Sequence, residues 1–191
     1  MTEDASWTIR VAKYRTEEPI VTILETVTKP RFVIDKTVET ELKNYFIFVQ
    51  KAELKPRSVR GPADYSTALE VFEEIQMIKD RVAEIQLTYS SISNDLERLW
   101  EIAKAHIILK PEVASAKSDT IRHAILSKVV SELEDLRSTV SGQLKSAEIL
   151  GKNLNQTYNV MNSQVETIKQ MVYWRSLTLP TDNKSQPLNR G

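Results

Sequence analysis

From Ile78 to Ala103 the apolar positions fall at Ile78, Val82, Ile85, Tyr89, Ile92, Leu96, Leu99 and Ala103, alternating in steps of four and three. A β-strand cannot use that spacing, whereas two facing helices can bury it as a heptad seam. The pattern predicts a helix that opens near Asp64 or Ser66, either of which can cap the first free amides. It should run to about Leu109, where Lys110–Pro111 stops or kinks it. Roughly 45 residues at ~1.5 Å each give a rod of about 70 Å.

A second stripe follows: Val129, Leu133, Leu136, Val140, polar Gln143, Ala147, Leu150 and Leu154, then Tyr158, Met161, Val165, Ile168 and Val172. Its helix can open at Pro111–Glu112, with Pro at the first helical position, or at Ser118–Asp119 after a loop. The steps of four from Leu150 through Leu154 to Tyr158 form a stutter that locally unwinds a left-handed supercoil. Gly142 and Gly151 inside this helix each cost ~1 kcal/mol relative to alanine. The expected architecture of residues 61–175 is mainly α, a long antiparallel helical hairpin or coiled coil. Its second helix outlasts the first, so Tyr158, Met161, Val165, Ile168 and Val172 are the candidate oligomer seam.

Residues 1–60 differ in texture. Trp7, Ile9 and Val11 alternate, Ile20–Thr28 has the β-branched density of a strand, and Phe32–Ile34 is a short extended candidate. Lys36–Leu54 reads as a helix with strand as its competitor, because Val38, Leu42, Tyr45, Phe46 and Val49 share one side. A segment this small cannot build a robust core alone. It is expected to be an extended, partly β or mixed N-terminal arm packed on the helices or on a neighbouring subunit. Lys55–Asp64 is a turn-rich basic linker, and residues 176–191, with two prolines and little to bury, form a flexible tail.

Composition narrows the chemistry. The chain has 191 residues, 26 basic against 26 acidic, 41% hydrophobic and 27% charged, so no global field draws in nucleic acid or anionic lipid. Local excess occurs at Lys51, Lys55, Arg57 and Arg60, and again at Lys169 and Arg175 beside Tyr173 and Trp174. Aromatic rings next to cations can stack on bases and meet phosphates, so these eight residues are the candidate nucleic-acid contacts. A solvated linker and a cation-rich helix end explain the basic residues at least as simply, and packing of Trp174 against a partner or the N-terminal arm explains the aromatic cluster better. Without cysteine there is no disulfide, thiolate zinc site or cysteine nucleophile. His106 and His123, with Glu112 and Asp119 between them, could approach each other in a hairpin, but zinc needs its three or four ligands held by tight outer-shell support, so they read as a partly buried polar residue and a surface one. No nucleophile, Walker-type, zinc-protease or dinucleotide-binding motif occurs, so no catalytic residue, metal or cofactor is expected and the chain reads as non-enzymatic. The longest apolar run, Tyr45–Val49, is far below the ~18 residues of a membrane helix. Residues 1–7 lack the basic and apolar regions of a signal peptide. The expected location is therefore cytoplasmic.

The segments Ala103-Lys104-Ala105-His106, Lys110-Pro111-Glu112-Val113, Ala116-Lys117-Ser118-Asp119 and Arg122, followed by a long polar-seamed helix, resemble small helical proteins of tailed phages. Some of those are similar to the UvsY-type recombination mediators. The resemblance covers roughly residues 65–175 and leaves 1–60 unmatched. It implies a ring-like homo-oligomer that binds single-stranded DNA and loads a RecA-like recombinase. Two functions therefore compete: a self-associating assembly protein, such as a phage virion or scaffold component that also meets other assembly proteins, and a single-stranded-DNA-binding mediator.

Overall fold

The computed structural model describes residues 3–52, 62–116 and 118–178. Among them are seven α-helices and one short 3-10 turn. The helices are α1 (Glu3–Tyr14), α2 (Ile20–Val27), α3 (Thr37–Lys51), α4 (Pro62–Ile108), α5 (Pro111–Ala114), α6 (Asp119–Val129) and α7 (Ser131–Thr178). The chain divides into two compact units, one of residues 1–44 with 81–151, the other of residues 45–80 with 152–191.

In the first unit α4 and α7 run antiparallel, as the heptads predict. The Gln86 side-chain amide donates to the Ala147 carbonyl at 2.8 Å, and Arg137 reaches Glu97 at 2.6 Å. The Arg137 guanidinium also lies 4.4 Å from the Trp100 ring centre. Val82, Ile85, Tyr89, Ile92, Leu96 and Ala103 are buried, as are Leu133, Val140, Ala147 and Leu150. Gln143 is the buried polar residue of this seam, and its side-chain oxygen has no hydrogen-bond partner among the described residues.

The N-terminal segment is helical, and the extended or β arm is not what forms. Ile20–Val27 makes α2 because Ile20, Ile23 and Val27, at steps of three and four, are all buried. One-sided burial at the helical period overrides β-branched propensity. The Trp7–Val11 alternation likewise lies inside α1, and Phe32 is buried at the end of a 3-10 turn, Pro30–Phe32. The helix expected over Lys36–Leu54 forms as α3 over Thr37–Lys51.

Ion pairs fasten this segment within the unit. Arg81 of α4 takes Glu41 of α3 at 2.8 Å, and Arg31 pairs with Asp95. Glu17 accepts from Lys110 and lies 3.2 Å from His106 Nε2.

Both anticipated starts after Pro111 are used. Pro111 opens the single-turn α5, and Ser118 caps α6, its hydroxyl accepting from the Ile121 amide at 3.3 Å. The second long helix is then interrupted at Val130, whose φ of −120° and ψ of 44° leave the helical region. Helix α1 packs on α6, and Arg15 reaches across to donate to the Val129 carbonyl at 3.0 Å and to pair with Glu132. The break exposes carbonyls at the end of α6 and amides at the start of α7. A cation at the first and an acid at the second suit both helix dipoles.

In the second unit Met161, Val165 and Ile168 of α7 are buried together with Val49, Ala68, Ile75 and Ile78. Tyr158 stacks on Phe72, with ring centres 5.0 Å apart, and the Lys79 ammonium lies 4.4 Å from the Tyr158 ring centre. Pro62 stands at the first position of α4, two residues before the expected Asp64 cap. A proline is tolerated there because its missing amide would have no helical partner.

Candidate functional site

Among the described residues, the candidate nucleic-acid contacts Lys169, Tyr173, Trp174 and Arg175 stand together on the C-terminal turns of α7. Tyr173 and Trp174 are 61% and 64% exposed, and their rings meet edge to face with centres 6.3 Å apart. Lys169 sits one turn earlier, exposed and 3.8 Å from Glu166, and Arg175 follows directly, also exposed. Helical spacing of four sets Lys169 and Tyr173 on one face. Lys51 is exposed on a different element, the last turn of α3. Lys55, Arg57 and Arg60 lie outside the described residues.

The five seam candidates are largely engaged within the chain. Met161, Val165 and Ile168 are buried, Tyr158 and Val172 half-buried. What the seam leaves outside begins past Val172, where Tyr173, Trp174 and Leu177 emerge, the last of them 59% exposed. Leu177 belongs to α7, although the sequence pattern assigns it to the tail.

A second stripe on α7 escapes a count that looks only for apolar residues. Gln156, Val160, Ser163, Thr167, Gln170, Trp174 and Leu177 step by four and three on the face opposite the buried seam. All seven are exposed and none is charged. The absence of charge is the signal that finds them. Charged residues make up 27% of the chain, and an exposed helix face is where they normally concentrate.

The other polar cluster, at the junction of α1, α2 and the end of α4, is structural in character. Burial pushes the Tyr14 phenol up, with the Glu112 carboxylate adding to it, and the Tyr14 hydroxyl has no partner among the described residues. Hydrogen bonds from Lys110 first and His106 second hold Glu17 below its usual range. A carboxylate already matched by an ammonium is a poor base and a poor metal ligand. His106 is half-buried there, while His123 is exposed on α6. Among the described residues no group of three histidine or acidic side chains could hold a metal ion, and no helix is long and apolar enough to cross a membrane.

Compared with known proteins, the chain matches no family model, no curated protein and no solved structure.

Proposed function

We propose that this chain is a non-enzymatic, self-associating helical protein that acts in macromolecular assembly, as a phage virion or scaffold component does. The observation that carries this is the emergence of Tyr173, Trp174 and Leu177 on adjacent turns at the end of α7, each more than half exposed. Large apolar side chains grouped on a helix end in water are characteristic of a contact surface. Aromatic residues dominate the energetics of such contacts. The phage setting comes from the resemblance over roughly residues 65–175.

Light scattering on the full chain at micromolar concentration tests it. An oligomer is expected, and the double variant Tyr173→Ser, Trp174→Ser should shift it toward monomer with an unchanged helical circular-dichroism signal. A wild-type chain that stays monomeric would refute self-association.

The adjacency of Lys169 and Arg175 to the same rings favours one alternative, a mediator that binds single-stranded DNA. Anisotropy of a labelled oligonucleotide at two salt concentrations separates the two functions. Binding that weakens steeply with salt and fails in the double variant supports the mediator. An oligomer indifferent to the oligonucleotide supports assembly.

A further inference from the structure

We infer that the uncharged outer stripe of α7, Val160 to Leu177, is a self-pairing seam whose occupant is the same stripe of a second copy, lying antiparallel. This rests on the self-association proposed above and names the surface that performs it.

The chemistry of the stripe selects the occupant. A nucleic acid or an anionic membrane needs cations facing it, and these stripe positions offer none. A charged protein surface would leave its own charges desolvated against neutral side chains. A copy of the same stripe carries no such penalty. The side-chain amide of Gln170 and the hydroxyl of Ser163 both donate and accept, so each can face an uncharged partner without stranding a polar group. Thr167 donates its hydroxyl to the Ser163 carbonyl of its own helix at 2.9 Å, leaving a methyl group as its free surface. Val160, 58% exposed, Trp174 and Leu177 supply the apolar positions of the repeat.

The flanking sequence fits a contact surface rather than a solvated one. No residue from Asn153 to Val165 is charged, and Asn155, Asn159 and Asn162 occupy exposed helical positions. Asparagine is a mediocre helix former, and a freely solvated helix gains more from lysine or glutamate there. Amides at those positions border the N-terminal half of the stripe, and Glu166, 3.8 Å from Lys169, borders its C-terminal half.

Antiparallel pairing matches the pattern best. With the two-fold axis between Thr167 and Gln170, Val160 meets Leu177 of the second copy, the small Ser163 receives the bulk of Trp174, and Thr167 faces Gln170. Parallel pairing would set Trp174 against Trp174 at the same level.

The full chain, which contains no cysteine, allows a direct test. In sedimentation equilibrium, Val160→Lys with Thr167→Lys should raise the self-dissociation constant at least tenfold. Asn155→Lys with Asn162→Lys, of equal added charge on the flank of the same helix, should change it less than threefold. Under mild oxidation, a mixture of Val160→Cys and Leu177→Cys chains should form cross-linked dimers faster than either alone. Cysteine pairs also report the contact if the lysine variants lose helicity. Wild-type self-association that survives the stripe lysines would overturn this seam while leaving assembly standing. Faster cross-linking of Val160→Cys alone would overturn the antiparallel arrangement. A monomeric wild type would remove both.

Discussion

Arg15 concentrates several demands on one side chain. Its guanidinium donates to a carbonyl at the end of α6 and pairs with Glu132 in the first turn of α7. The hydrogen bond from Arg15 pulls the Glu132 carboxyl down to about 2 from an ordinary value of 4.5. A carboxylate with a lowered folded-state pKa contributes stability that is fully present above its unfolded value and fades as pH falls through its folded one. Glu132→Gln should therefore lower the melting temperature at pH 7, and the deficit should shrink between about pH 4.5 and about pH 2. Both side chains are partly exposed, so the effect is modest and weakens with salt. A deficit that persists unchanged below pH 2 would assign the loss to packing instead. Tyr14 cannot report this window, because burial moves its phenol upward.

At the level of the element, the two glycines of α7 make opposite cases. A Cβ on Gly142 would meet nothing within 4 Å, whereas one on Gly151 would fall 2.5 Å from the Gln86 side-chain nitrogen. Gly142→Ala should raise stability by about 1 kcal/mol through helix propensity alone. Gly151→Ala gains the same propensity but displaces the amide that donates to Ala147, which offsets about 1 kcal/mol. Chemical denaturation should thus separate two substitutions that are identical on paper; equal gains would show that Gln86 yields without loss.

The long helices were legible because a heptad is a property of many residues, and Ile78 through Ala103 all agree. Helix α2 was misread because Ile20–Val27 is short enough for β-branched density to mask a three-and-four spacing. Only the burial of Ile20, Ile23 and Val27 decides between the two. The break at Val130 involves neither glycine nor proline. Its one local mark is Ser131 three residues before Glu134, a spacing that often opens a helix. At the candidate site the aromatic pair was legible as composition. The outer stripe was not, because a search for apolar periodicity passes over Gln156, Ser163 and Gln170.

For the molecule as a whole, neutrality is the governing electrostatic fact. With 26 charges of each sign, like-charged repulsion between copies is small near neutral pH. The stripe through which copies are proposed to meet is itself uncharged. Its self-dissociation constant should therefore change less than threefold over a roughly tenfold change in salt, against the steep dependence of phosphate contacts. Sedimentation at low and high salt checks this, and strong dissociation at high salt would point to ion pairs as the source of association.

The first unit is assembled from residues 1–44 and 81–151, and this has a bearing on synthesis. Arg15 waits for Val129 and Glu132, and Glu17 waits for His106 and Lys110. While the ribosome is still translating the middle of α4, the N-terminal helices have emerged without most of residues 81–151, the rest of their unit. Closing a loop of that length is slow compared with local helix formation. For those seconds the newborn N-terminus offers bare aliphatic groups to whatever is nearby, including chaperones and sister chains on the same message.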